Sequence, residues 1–353
     1  MAEDVDKLRQ RHPEFGQFLQ DYSHAKDIEE TYLRMCSKGQ ILTLDSVKHP
    51  QKSFLYHTGL PSYEVFDALF VYLQDKACDM QYVTTAGQEH NALRFSSKPG
   101  PKRTLTLREE MFATLVRLRL GLPSRHCARL FGISESMFSV IFNTWIALLS
   151  RELEKICCMP SSEITQESRA SCFDRFKQTR IVLDCTELFA QTPGTLDNHK
   201  QMHSNYKHHS TVKFLVGMSP SGAITYVSDM WGGRASDKKI TKESHALIDA
   251  LDAGNSVMVD RGFTIAEDLP IGVKLLIPPF KNKGTGQFTP QQIQYSEHLS
   301  VARIHVERAM RAIKESRLLE MEVKLAMINN FENIFKTCAY LVNFKQPFLK
   351  VKK

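Results

Sequence analysis

Apolar and polar positions follow two periods along this chain, and the change from one to the other divides it. In "GLPSYEVFDALFVYLQDKA", Val65, Phe66, Leu69, Phe70 and Leu73 recur at helical spacing, with Ser62 at the N-cap position. Residues 1–95 read as a helical N-terminal region. Thr106 and Glu109 form a capping-box pair ahead of "MFATLVRLRLG". Ser124 is placed to cap the short helix "RHCARLF", Gly132 supplies a turn, and Ser134 caps the next helix. Residues 104–156 are thus a second helical block. "SSKPGPKR" at 96–103, broken by Pro and Gly, links the two blocks.

Over residues 175–345 β-rich apolar runs appear, at 180–189, 212–218, 223–231, 256–260 and 273–278. "SPSG", residues 219–222, predicts a hairpin between the second and third. Residues 236–254 predict one capped helix ending at Gly254, and "HLSVARIHVERAMRAIKESRLLE", residues 298–320, a long one. The order predicts an α/β fold, a mixed sheet with flanking helices, preceded by an all-α region.

Two of the strand-like runs stop on a carboxylate. "RIVLDCTELF" places Asp184 after Ile181, Val182 and Leu183, and "SVMVDRGF" places Asp260 after Val257, Met258 and Val259. Desolvating a carboxylate at the tip of a buried strand is costly unless something neutralises it. On the long helix, Ala302, Val306, Ala309, Met310 and Ile313 share one face, with Arg303, Glu307 and Lys314 on a stripe beside it. Glu307 is expected at the edge of the buried face, leaning toward the two aspartates. Singly each acid reads as a turn former or a surface pair. Jointly, Asp184, Asp260 and Glu307 suit a hard divalent cation, Mg²⁺ with Mn²⁺ as the alternative. Two such ions would serve in-line displacement at phosphorus.

Composition adds little and excludes some classes. The 353 residues are 42% hydrophobic and 24% charged, close to a globular average, and the net charge of +7 tilts toward a polyanionic partner. Eight scattered cysteines contain no C-x-x-C pair, which argues against a thiolate zinc site and for free thiols in a reducing compartment. The charged start "MAEDVDKLRQRHPEF" lacks the apolar core of a signal peptide, and no apolar run approaches a membrane span, so a soluble, intracellular chain is expected.

The block 104–156 has the helix-turn-helix plan. Its second helix would reach double-stranded DNA with Glu135, Ser136, Ser139 and Asn143, while Arg125 and Arg129 hold phosphates. A plain helical bundle is the competing reading, since the reading helix carries few bases.

"VLDCTE", "WGGRASDKKI", "VMVDRGF" and "ARIHVERAMRAIK" together resemble the DDE superfamily endonuclease domain of eukaryotic transposases, the group related to Harbinger elements and to bacterial insertion-sequence transposases. "FLYHTGLPSYEVF" and "ARLFGISESMFSVIFNTW" resemble the upstream parts of the same proteins. The resemblance implies a ribonuclease H-like fold, metal-dependent cleavage and strand transfer on DNA, and action in the nucleus. It implies dimers or larger assemblies and an accessory DNA-binding protein encoded by the same element. It implies Asp184, Asp260 and Glu307 as the catalytic, metal-holding triad. Some bacterial relatives carry Y-x2-R-x3-E-x6-K around the glutamate. Arg303, Glu307 and Lys314 match that pattern, and Ser300 stands at the tyrosine position.

Other residues carry two readings. Arg261 and Arg308 beside the acids either hold a phosphate or orient a carboxylate, and Arg303 and Lys314 join them as DNA contacts. Asp237 is expected to cap the helix that starts near Lys238. Glu187, three residues after Asp184, points to the other face of its strand. Residues 199–213, with four His and three Lys, form either a phosphate-facing loop, with Lys207 as a contact and Tyr206 free to stack on a base, or a solvated basic loop. Lys281 and Lys283 in "PPFKNKGTGQFTPQQ" are placed to track DNA, and the basic tail "FLKVKK" is too short for a firm nuclear signal.

Overall fold

In the computed structural model the described residues are 41–80, 82, 104–280, 287–345 and 349. The 96–103 linker, the segment with Lys281 and Lys283, most of the basic tail and the first forty residues lie outside them. Among the described residues no single helix is long and apolar enough to cross a membrane.

Helices α1 (Leu44–Lys48), α2 (Gln51–Thr58) and α3 (Tyr63–Cys78) lead into α4 (Leu107–Leu120), α5 (Ser124–Leu130) and α6 (Glu135–Ile156). The Thr106–Glu109 capping box forms as expected, and the Ser134 hydroxyl accepts the Met137 N–H at 3.2 Å. Ser62 holds the N-cap position of α3 without a side-chain cap bond. Ser124 is the first residue of α5 rather than its cap, which is Pro123, because the proline already fixes the entering backbone. A buried carboxylate organises this block. Glu110 accepts from Trp145 Nε1 at 2.9 Å and from the Tyr82 hydroxyl at 2.6 Å, tying α4 to α6.

After α7 (Ser162–Glu167) comes the first strand, β1 (Thr179–Phe189). Helix α8 (Leu196–Met202) leads to a hairpin, β2 (His203–Ser204) and β3 (His209–Met218). β4 (Ile224–Val227) and β5 (Trp231–Gly232) both pair antiparallel with β3. The single strand expected over 223–231 is broken at Ser228, whose hydroxyl and N–H both bond Leu215. The 236–254 segment is likewise two short helices, α9 (Asp237–Glu243) and α10 (His245–Asp249), divided at Ser244, whose hydroxyl turns back to the Ile240 carbonyl. β6 (Ser256–Met258) and β7 (Lys274–Leu276) run parallel to β1.

The long helix α11 spans Pro290–Lys314, beginning earlier and ending earlier than its apolar face suggested. Thr289 and Gln292 make a capping box with Pro290 in the first turn. At the other end Lys345 Nζ donates to the Ala312 carbonyl and Arg119 to that of Glu315, which closes the helix. α12 (Ile328–Leu341) completes the fold.

The sheet runs β4–β3–β1–β6–β7, three antiparallel strands followed by two parallel to β1. That is the ribonuclease H-like plan. One face, with Val182, Phe214 and Met258, packs under α11 and α12, and Phe214 stacks on Phe335 at 3.9 Å. The other, with Ile181, Leu183, Val257 and Val259, packs under α9 and α10. The larger core is continuous with the helical block, where α6 lies along α12 and Asn330 donates to Asn143 at 3.1 Å.

Close approach explains "WGG". A Cβ on Gly233 would stand 2.9 Å from the Met202 carbonyl oxygen and nearer still to the Thr211 hydroxyl, while one on Gly232 would collide with the Gln201 carbonyl. The glycines let α8 and the hairpin lie against β5. Gly233→Ala is expected to destabilise the fold by about 1–3 kcal/mol, as overpacking does, and Gly194→Ala, with nothing within 4 Å, to be neutral. Chemical denaturation of the two variants beside wild type checks this; equal stabilities would remove the packing argument.

Candidate functional site

The site begins with strand register. β1 pairs with β6 so that Val182 lies beside Met258. Two residues further on, each strand direction delivers an acid, Asp184 on one and Asp260 just past the end of the other. Side chains alternate along a strand, so each acid shares the face of the apolar residue two before it. Val182 and Met258 both pack under α11, and the acids therefore open on the α11 side of the sheet.

Each aspartate is held by the next N–H in the chain. Asp184 Oδ1 accepts from Cys185 N at 2.9 Å and Asp260 Oδ1 from Arg261 N at 2.7 Å. Their surroundings differ. Asp260 is exposed. Asp184 is half-buried, and that burial pushes its pKa up to about 6, with the charges of Asp260 and Asp237 adding to the rise and that of Arg303 opposing it. Arg303 comes from α11, and its guanidinium donates to Asp260 Oδ1 at 3.0 Å.

The other predicted residues distribute unevenly. Lys314, half-buried near the end of α11, has its pKa lowered by burial and then by Lys207, while Asp184 pulls it back up. Lys207 sits exposed at the tip of the β2–β3 hairpin, beside the 80% exposed ring of Tyr206. Residues 199–213 are thus a helix end and a hairpin rather than a loop, and the buried Ser204 builds the turn, accepting the Lys207 N–H at 3.2 Å. Arg261 and Arg308 are exposed, and Arg308 reaches His305 at 3.4 Å.

Glu307 is one helical turn beyond Arg303 but exposed, and does not lean into the sheet as expected. Among the described residues no three His, Cys, Asp or Glu side chains stand close enough to hold an ion together. The donor set that is assembled, two carboxylates with one half-buried and an arginine as their neighbouring cation, fits a hard divalent ion.

Asp237 corrects another expectation. Ser236 caps α9, accepting the Lys239 N–H at 3.2 Å, and Asp237 is the first helical residue. Its carboxylate meets Lys213 Nζ at 2.6 Å, and Lys213 also faces Glu187 at 3.6 Å. Burial lowers the Lys213 pKa, but Asp237 and Glu187 outweigh it and leave the pKa raised. This cluster lies on the sheet face opposite Asp184, as expected for Glu187. Its signal in the sequence was Lys213 itself, a charge inside the apolar run "TVKFLVG".

In the helical block α5 and α6 meet at 102°, within the range for a helix-turn-helix. Arg125, Arg129, Glu135 and Ser136 are exposed and Ser139 is half-buried. Asn143 is bonded to Asn330 and faces α12, so it does not belong to the reading surface.

Residues 183–343 match the family model described as DDE superfamily endonuclease, and residues 103–155 match the helix-turn-helix of DDE superfamily endonuclease. No curated protein and no solved structure matches the chain.

A folded-state pKa of about 6 against about 4 for a free aspartate makes Asp184 a cost to stability at neutral pH. The folded state binds the proton more tightly, so this group's contribution is fully present below about pH 4 and lost as pH rises through about 6. Without divalent ions, Asp184→Asn should be more stable than wild type by about 1–3 kcal/mol at pH 7, the gap closing toward pH 4. Denaturation curves in EDTA across that range check it, and a pH-independent difference would contradict the raised pKa of Asp184.

Proposed function

We propose that this chain, a member of the DDE superfamily endonucleases, cuts DNA phosphodiester bonds and joins strands at a metal centre held by Asp184, Asp260 and Glu307. The observation that carries the reading is the β1–β6 register, which sets Asp184 and Asp260 side by side beneath α11. Members of such families generally work with divalent metals, and the acid pair offers oxygen ligands alone. A bound Mg²⁺ or Mn²⁺ pair would activate the attacking water or 3′-hydroxyl and stabilise the leaving oxygen. Glu307, on the helix that already reaches Asp260 through Arg303, is the third carboxylate.

The chain's own residues do the rest. Asp184 and Asp260 are held in place by their Cys185 and Arg261 N–H bonds. Lys207, Arg261, Arg303, Arg308 and Lys314 hold phosphates around the acids. Arg125 and Arg129 hold phosphates at the helix-turn-helix, and Ser136 and Ser139 face the groove. Strand joining needs two DNA ends, which calls for a homodimer or larger assembly, and the family resemblance favours an accessory DNA-binding protein encoded by the same element. The expected place of action is the nucleus. A protein that binds DNA without cutting it is the second reading, favoured by the exposed position of Glu307.

Purified protein should nick supercoiled plasmid with Mg²⁺ or Mn²⁺ and not with EDTA. Asp260→Asn and Glu307→Gln should each lower the rate by about 100-fold or more, the scale of losing one transition-state-stabilising group, with DNA binding kept. Full activity in Glu307→Gln would remove that residue from the triad, and binding without nicking by wild type would favour the second reading.

For the helix-turn-helix, Arg125→Ala combined with Arg129→Ala should weaken duplex binding and flatten the plot of log affinity against log salt by about two units, close to one for each phosphate no longer neutralised. Fluorescence anisotropy across a salt series measures the slope, and an unchanged slope returns this block to a plain bundle.

A further inference from the structure

We propose that Arg303 couples metal binding to DNA binding: in the free protein its guanidinium is the counter-cation of the Asp184–Asp260 pair, and a DNA phosphate draws it away, so that DNA and the divalent ion bind cooperatively. The inference rests on reading the acid pair as the cation site.

The geometry is that of a placeholder. The Arg303 side chain is only 11% exposed and donates to Asp260 at 3.0 Å. Its charge acts on Asp184 as well. Its Cα is fixed, because Ala302 and Val306 on either side are buried against the sheet. The guanidinium is not fully engaged, since Arg303 Nε is buried without a hydrogen-bond partner. Donors therefore remain for the fork-shaped grip that guanidinium makes on phosphate.

Charge then decides the order of events. A guanidinium and a divalent ion on the same two carboxylates repel each other, and at these separations one unit of like charge costs several-fold or more in affinity. The acids without any cation are also unfavourable. Arg303 relieves that repulsion in the free protein and opposes the ion for the same reason. Lys314 and Lys207, whose charges act on one another near Asp184, mark where a phosphate backbone would run. A phosphate there offers Arg303 another anion within reach of its flexible stem. Linkage makes the effect reciprocal: whatever factor DNA adds to metal affinity, metal adds to DNA affinity.

The test is Mn²⁺ binding to the full chain, followed by loss of the free-ion paramagnetic resonance signal, with and without a short random-sequence duplex. Wild type should bind Mn²⁺ about ten-fold more tightly with the duplex, a usual size for such coupling. Arg303→Gln should bind Mn²⁺ about ten-fold more tightly than wild type without DNA, and gain nothing further from it. Arg303→Lys, which keeps the charge, should retain most of the coupling. Mn²⁺ should also raise the melting temperature of Arg303→Gln by more than that of wild type, because that variant alone lacks a resident cation. Unchanged Mn²⁺ affinity in Arg303→Gln, with binding still abolished in Asp260→Asn, would overturn the coupling and leave the acid-pair site standing. Mn²⁺ binding indifferent to Asp260→Asn would overturn both.

Discussion

Two like charges at the ends of neighbouring parallel strands need a cation. The β1–β6 register brings Asp184 and Asp260 together and leaves no way to separate them without slipping every apolar residue on both strands to the wrong face. The rest of the domain is arranged to supply positive charge at that point. Ala302 and Ala309 are small enough to let α11 lie on the sheet, and the same helix delivers Arg303 to Asp260 and Lys314 to the neighbourhood of Asp184. With Asp260 exposed, the Arg303–Asp260 ion pair adds little to stability, because solvent screens the attraction. The raised pKa of Asp184 shows the cost of desolvation at the other acid.

The opposite face of β1 carries charges that neutralise one another within the fold. Lys213, Asp237 and Glu187 neutralise one another between β3, α9 and β1. Asp237 also lies beneath the Asp260 loop, where a Cβ on Gly262 would come within 4.0 Å of it. One sheet thus carries a closed charge cluster beneath and an acid pair above, with its arginine less than fully bonded. The difference is one of acceptors: Lys213 has two carboxylates and the Ala235 carbonyl around it, whereas Arg303 meets a single carboxylate oxygen.

What was legible in the sequence was what local chemistry dictates. A carboxylate directly after three apolar strand residues is costly wherever the chain goes, so Asp184 and Asp260 stood out before any topology was known. The Thr106–Glu109 box, the Ser134 cap, the 219–222 turn and the buried face of α11 depend on neighbours within four residues, and each is present. The sheet order was implied by the resemblance and is present too. Partners distant in sequence were not legible. Asn143 has the spacing of a base-reading residue, yet Asn330 claims it from across the core. Asp237 follows the N-cap signal, yet a lysine on β3 binds it and Ser236 does the capping. The acidic neighbour of Arg303 was not legible either, since it arrives from forty-three residues earlier.

The Asn143–Asn330 hydrogen bond has a mechanical consequence. α6 is the second helix of the helix-turn-helix at its N-terminal end and a buttress of the endonuclease sheet at its C-terminal end. Trp145, Ile146 and Leu149 are buried on it, and α12, which it packs against, in turn stacks Phe335 on Phe214 of β3. Two packed helices, α6 and α12, therefore join the surface carrying Ser136 to the strand beside β1. Where a flexible linker would let the helix-turn-helix sample many positions against the sheet, this packing holds it in one. The placement of the helix-turn-helix relative to the sheet is thus a property of the hydrophobic core, set by residues that lie on neither surface.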